Sequence, residues 1–384
     1  MTQTSGGSDP QAWLERLRGD LPSVRPHARS IGMMVTTGSC RARQVLDLAG
    51  VDKERLAERL GVPGQYGQSP FAIDRGNRFE RAVKRDSYAA LVALLQPRGL
   101  EPDRVVVRDL KTEFPMNPKR ADDVLRKRAN ATRDLVLAIT EGTVPNGTIV
   151  DGGALTWTFG GVGVRLETDA LAWWLGGQLR VVEMKSYPIE WGQIDREKVS
   201  SLAWQTAVYV AALQDMLVEA GRDPGLVATE IFLVCPKNTG FTPTLVPHNV
   251  APQLRLLRRF QHRQADVAGW AVELGDVTFD AADGTGGSAH AALTQALAAL
   301  APSYQPNCLS NCELAGYCRG CAQAAGEPTA IGVDVAHMLG SVADVHRAEA
   351  LSTGTAQPSG PDEQLVAAEL RRLVEIEALL GMAP

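Results

Sequence analysis

The chain is poor in aromatics: Phe, Trp and Tyr make up 5% of its 384 residues. It has no apolar run approaching the roughly 18 residues of a membrane-crossing helix. The opening Met1-Thr2-Gln3-Thr4-Ser5-Gly6-Gly7-Ser8 is small and polar, with no secretory apolar stretch behind it. A phosphate loop of the form G-x-x-x-x-G-K-[ST] is missing, so ATP-driven work would fall to a partner. Nor is there a basic excess. The formal charge is −5, from 39 Lys plus Arg against 44 Asp plus Glu. That excludes a wholesale polybasic binder. It leaves room for local basic faces and for metal ions that neutralise acids. Together these absences predict a cytoplasmic protein without membrane association. Disulfides are then not expected, and clustered cysteines need another explanation.

With 45% hydrophobic residues the chain can bury a real core, in one large domain or two smaller ones. No internal repeat is visible. The stretch that organises the rest is Leu179-Arg180-Val181-Val182-Glu183-Met184-Lys185-Ser186. Its β-favouring residues follow Gly176-Gly177, which reads as a hairpin turn. Alternate residues of a strand share a face, so Leu179, Val181, Glu183 and Lys185 form one row. That row starts apolar and ends with a carboxylate beside an ammonium, at the expected rim of a cleft. Alone, such a pair is ordinarily a solvated ion pair worth under about 1 kcal/mol.

Its neighbours change the weighing. Arg165 to Trp173 reads as the preceding strand and carries Asp169, with Glu167 as a second acid two residues earlier. Arg196 to Ala220 reads as a helix with Gln205 and Tyr209 four residues apart, hence on one face. Asp74 to Leu95 reads as another helix, in which Gly76-Asn77-Arg78-Phe79-Glu80 places Glu80 beside an apolar stripe. Thr148–Val150, Leu155–Phe159 and Val162–Trp174 read as an antiparallel meander leading into the Glu183 strand. Ile231 to Cys235 is a later apolar strand, with Cys235 in its core. Two helical stretches are basic. One holds Lys119, Arg120, Arg126, Lys127 and Arg128; the other, read as one helix over Ala251–Leu274, holds Arg255, Arg258 and Arg259. Each is either a solvated face or a phosphate-contacting one.

Four of the six cysteines follow the pattern Cys308-x3-Cys312-x5-Cys318-x2-Cys321. A fifth, Cys40, stands at the start of a predicted helix, Arg41–Ala49, where Ser39 would cap it. Such density predicts metal binding. Two readings stand: the local four around zinc, or three of them joined by distant Cys40 around a 4Fe–4S cluster.

In this order the motifs resemble the PD-(D/E)XK nuclease superfamily. Asp169, thirteen residues, then Glu183-Met184-Lys185 matches its core motif. Gln205-x3-Tyr209 and Gly76-x2-Phe79-Glu80 resemble two further motifs of the RecB-type branch. The early and late cysteines are similar to the iron–sulfur clasp of CRISPR-adaptation exonucleases and the AddB nuclease domain. The resemblance implies a restriction-endonuclease-like α/β fold: a mixed central sheet flanked by helices, with the clasp joining the N- and C-terminal parts. It implies Mg²⁺- or Mn²⁺-dependent hydrolysis of DNA, single-stranded or with free ends, alongside a helicase or another repair or defence protein. Asp169, Glu183 and Glu80 would be metal ligands, with the Met184 carbonyl. Lys185, Gln205 and Tyr209 would complete the catalytic set. Cys40, Cys308, Cys312 and Cys318 would hold the cluster. The family's trailing set is C-x2-C-x5-C, so this chain has one residue too many after Cys308, and Cys321 stands as an alternative ligand.

The expected organisation is a partly disordered segment over 1–28, the nuclease domain over 29–325, a linker over 326–361, and an amphipathic helix over 362–384. A non-cutting nucleic-acid scaffold and an iron–sulfur redox protein are the rival classes. Intact Asp169, Glu183 and Lys185 argue against the first, and the carboxylate–lysine row is unexplained by the second.

Overall fold

The computed structural model describes residues 10–37, 40–62, 70–99, 105–145, 147–168, 170–175, 177–190, 194, 196–238, 240–263, 267–280, 287–342 and 344–380. The chain opens with helices: α1 (Pro10–Arg18), α2 (Ala28–Thr36), α3 (Arg41–Leu48), α4 (Lys53–Arg59) and α5 (Pro70–Leu95). The middle alternates: β1 (Val105–Asp109), α6 (Leu110–Glu113), α7 (Ala121–Thr140), β2 (Gly147–Asp151), β3 (Ala154–Phe159), β4 (Val162–Glu167), β5 (Ala170–Leu175), β6 (Gln178–Met184), α8 (Arg196–Glu219), β7 (Glu230–Pro236) and β8 (Pro243–Asn249). Helices follow: α9 (Ala251–Arg263), α10 (Val267–Leu274), α11 (Gly287–Ala299), α12 (Ala315–Ala324), α13 (Val333–Leu339), α14 (Val345–Ser352) and α15 (Pro361–Leu379).

Among the described residues, six strands form one sheet in the order β1-β2-β5-β6-β7-β8. It is mixed: β1–β2 and β6–β7 are parallel pairs, and the other neighbours are antiparallel. Parallel neighbours need a crossover, and α7 and α8 supply the two. The expected mixed α/β class is therefore the one observed.

β6 is central and buried on both faces. Leu179 and Val181 point into the large core shared with α8, whereas Val182 and Met184 join a smaller core with Phe79 and Val83 of α5. From Leu202 to Leu213 α8 is almost wholly buried, as an all-round apolar helix must be. It is crossed closely by α2: a Cβ on Gly32 would stand 2.8 Å from Trp204 Cβ, so only glycine fits there.

Several expectations change. The meander is interrupted: β3 and β4 pair in a separate two-stranded sheet, and the strand expected across Asp169 is split between β4 and β5. The N-terminal segment holds α1, close to the short helix expected over Gln11–Arg18, and its Trp13, Leu14 and Leu17 are buried. Trp13 Nε1 donates to the Gly275 carbonyl at 3.0 Å, and Phe279 N donates to the Leu17 carbonyl at 2.8 Å. The helix expected over Ala251–Leu274 is two helices, α9 and α10.

The stretch expected as a linker carries α13 and α14. Leu339, Val342, Ala348 and Leu351 form a small core of their own with Ala367 of α15, which spacing over so short a stretch did not reveal. In α5 the helical path breaks at Arg85, and Asp86, Ser87 and Tyr88 take φ of 52°, 54° and 66°. Left-handed backbone costs non-glycine residues roughly 1–2 kcal/mol each. Here Tyr88 gains a buried hydrogen bond to Asp151 in return.

Candidate functional site

β6 ends by presenting Glu183 to the α8 side of the sheet. The carboxylate is fully buried, not at a solvated rim. Its Oε1 lies 2.6 Å from Lys185 Nζ and accepts from Gln205 Nε2 at 3.0 Å. The crossover from β6 to β7 lays α8 across the strand, which is why a glutamine 22 residues downstream reaches it. Gln205 Nε2 also lies 3.1 Å from Tyr209 Oη, and that hydroxyl donates to the Glu167 carbonyl at 2.8 Å. Four expected residues, Glu183, Lys185, Gln205 and Tyr209, thus form one connected network. Lys185 is fixed from its backbone as well, since its N–H donates to the Val234 carbonyl of β7 at 3.0 Å.

Glu167 is half exposed; its Oε2 stands 3.7 Å from Arg128, and its carbonyl carries the network contact. Asp169 lies outside the described residues, as do Ser39 and Gly176. Its successor Ala170 is opposite Val182 in the β5–β6 pair. The strand that follows Asp169 is therefore the neighbour of the strand that carries Glu183.

Glu80 approaches from the other face. The start of α5 passes the tip of β6, where Arg75 Nε donates to the Ser186 carbonyl at 3.0 Å. One turn later Glu80 Oε1 lies 2.5 Å from Lys84 Nζ and 3.6 Å from Lys111 Nζ. Lys84 in turn reaches the buried Asp151 at 2.7 Å, which also accepts from the Tyr88 hydroxyl. Burial disfavours the Lys84 ammonium, but Asp151 and Glu80 outweigh it and hold its pKa above the ordinary value. Burial, then Asp151, pushes the Tyr88 phenol far up. Asp151, Lys84 and Tyr88 were not singled out from sequence, although Thr148-Ile149-Val150-Asp151 ends a strand in an acid. Asn77, Glu80, Arg81, Lys84 and Arg85 line a cleft of about 420 Å³.

The cysteines converge from both ends of the chain. Cys40 is the residue before α3 and is buried, like Cys308 and Cys312; Cys318 is half-buried and Cys321 exposed. Burial, followed by Cys312, Cys40, Cys308 and Cys321, raises the Cys318 thiol, so these sulfurs lie within electrostatic reach of one another. Burial pushes Cys312 up to about 11 against the lowering influence of Lys53 and Arg43. Cys235 lies apart in the core of β7, where burial raises it to about 12. Among the described residues, no group of three or more His, Cys, Asp or Glu side chains is arranged to hold a metal ion.

The basic residues divide. Arg128 is buried and donates to the Phe114 carbonyl at 2.7 and 3.0 Å. Arg258 pairs with Asp215 at 2.7 Å and donates to the Ala211 carbonyl. Both tie helices together, Arg128 from a buried position and Arg258 from a partly exposed one. Arg126 and Lys127 pair with Asp123 on the surface. Lys119, Arg120, Arg255 and Arg259 are exposed.

No protein-family model, no curated protein and no solved structure matches the chain. Its function rests on the chemistry of these side chains. No helix among the described residues is long and apolar enough to cross a membrane.

Proposed function

We propose that the chain is a metal-dependent DNA nuclease of the RecB-like PD-(D/E)XK type, with a restriction-endonuclease-like sheet and an iron–sulfur clasp. The observation that supports it most is the buried Glu183 carboxylate, held between Lys185 at 2.6 Å and Gln205 at 3.0 Å. A lone surface ion pair has no need of burial or of a glutamine and tyrosine arranged around it.

A hard divalent cation takes oxygen ligands, and Glu183 is such a donor, preset by two partners. Glu183 would hold Mg²⁺ or Mn²⁺ with Asp169 and the Met184 carbonyl, as the resemblance implies; Glu80, the further ligand of that set, is instead engaged with Lys84 and Lys111 on the other face of the sheet. When bound, the cation supplies charge neutralisation and an acidified water. Lys185 contributes a cation next to that carboxylate, suited to orienting a water or stabilising charge on phosphate. Gln205 keeps the carboxylate in one orientation, and Tyr209 ties Gln205 to the end of β4. Arg81 and Arg85 give the α5 cleft a basic lining suited to DNA phosphate. Lys119, Arg120, Arg255 and Arg259 are the exposed basic groups left for the same work.

Soft thiol donors suit an iron–sulfur cluster, and Cys40, Cys308 and Cys312 are buried with Cys318 half-buried. Cys40, Cys308, Cys312 and Cys318 would hold it, and the exposed Cys321 would not. The cluster would tie α3 to the segment around α12.

The test is cleavage of end-labelled single- and double-stranded DNA by anaerobically purified protein, with Mg²⁺ or Mn²⁺. Cleavage that chelation abolishes is expected. A protein with its metals loaded that leaves every substrate intact would contradict the proposal.

A further inference from the structure

Beside the cysteines lies a buried group of charges that the nuclease chemistry does not use. Arg43 of α3 is 4% exposed and Lys53 of α4 is 8% exposed. Both face one buried acid, Asp47: Lys53 forms a close ion pair with it, and Arg43 Nε lies 3.3 Å from its Oδ2. Glu313 joins at 3.4 Å from Lys53.

Asp47 does not satisfy the guanidinium. Arg43 Nε and Nη1 are both buried without a hydrogen-bond acceptor. A buried donor left unsatisfied costs about 1–3 kcal/mol, so two such donors on one side chain call for an acceptor. After Asp47, the groups within electrostatic reach that favour the Arg43 cation are Cys312, Glu313 and Cys308. Lys53 likewise has Cys312 in electrostatic reach. Arg43 stands three residues after Cys40, one turn along the helix that this cysteine opens.

We propose that Arg43 donates hydrogen bonds to the sulfurs of a cysteine-bound iron–sulfur cluster, and that Arg43 and Lys53 together offset its negative charge and set its reduction potential. This rests on the cluster reading above. Net charge and hydrogen bonds to sulfur are two of the factors that set cluster potentials. Cations that favour the more negative, reduced form raise the potential. Their loss lowers it.

The experiment is a dithionite titration of the anaerobically purified full chain, followed by visible absorption and electron paramagnetic resonance. Dithionite supplies the single electron taken up by the cluster. Arg43→Gln is expected to shift the midpoint to more negative potential and to hasten loss of the visible absorption in air. Arg43→Lys, which keeps the charge, should recover most of the shift. Lys53→Gln should shift the midpoint in the same direction, and it provides the reading if Arg43→Gln does not load iron. Arg259→Gln, at an exposed site, should leave the potential where it is. An iron-loaded wild type whose midpoint is unchanged in both Arg43→Gln and Lys53→Gln overturns this inference and leaves the cluster intact. A wild type that holds stoichiometric zinc and no iron overturns the cluster reading itself.

Discussion

Gln205 on α8 donates to Glu183 on β6 at 3.0 Å, so a helix residue fixes the buried carboxylate of the strand beneath it. Removing that donor leaves Lys185 as the main support. Gln205→Leu should cost about 1–3 kcal/mol in urea denaturation, the penalty of a buried acceptor losing a partner. It should also weaken metal-supported cleavage about 10–100-fold, the usual effect of losing a group that orients a ligand. Tyr209→Phe should be milder in both measurements, because it removes the hydroxyl's bonds to Gln205 and the Glu167 carbonyl but leaves the Gln205–Glu183 bond in place.

Lys185 offers a sharper separation of stability from chemistry. Its side chain is 28% exposed, whereas that of Glu183 is fully buried. Lys185→Met leaves the carboxylate without its nearest cation, and breaking a buried pair on one side costs about 3–5 kcal/mol. Thermal denaturation should register that loss. The double variant Lys185→Met/Glu183→Gln should regain much of it and remain inactive.

The row from Leu179 to Lys185 and the Gln205/Tyr209 pair were legible because strand and helix periods place those residues on common faces. The burial of Glu183 was not, since it depends on α8 crossing over β6. Asp151 was missed for a similar reason: its partners Lys84 and Tyr88 are 67 and 63 residues away. Arg128 and Arg258 look like phosphate contacts in a basic run. Their acceptors, the Phe114 and Ala211 carbonyls, are visible only in three dimensions. The small core around Leu351 was hidden because it joins α13, α14 and α15.

Asp151 anchors Lys84 and Tyr88, and through Lys84 it reaches Glu80. Asp151→Ala should destabilise the protein by about 3–5 kcal/mol, as expected when one member of a buried ion pair is removed. Calorimetry checks the size of the loss. Lys84→Met, which releases both acids, should lower stability less if the Tyr88–Asp151 bond persists.

The C-terminal helices should open on acidification. Arg347 foremost, then the Ser359 N–H and hydroxyl, hold Glu363 at about 2, below the usual carboxylate value of 4.5. A carboxyl depressed in the folded state contributes stability that is fully present above its unfolded pKa and is lost as pH falls. Hydrogen exchange in α14 and α15 should therefore quicken as pH drops from about 4.5 toward about 2. Arg347→Gln should quicken it already at neutral pH and flatten that dependence.

The cluster has its own test. If the proposed cluster is present, Cys40→Ser should remove the brown colour and lower stability, because Cys40 would join α3 to a cysteine group more than 260 residues away. Cys321→Ser should keep the colour, since that thiol is exposed. Bleaching by Cys321→Ser but not by Cys308→Ser would move the ligand set to Cys40, Cys312, Cys318 and Cys321.

The most direct measurement compares wild type with Glu183→Gln, each freed of divalent metal and resupplied with Mg²⁺, on end-labelled DNA. The substitution keeps the size of the side chain and the hydrogen-bonding carbonyl while removing the charge. Wild type should cut, and Glu183→Gln should fold, keep its cluster absorption and fail to cut. Cleavage by Glu183→Gln at the wild-type rate would contradict the assignment of this site.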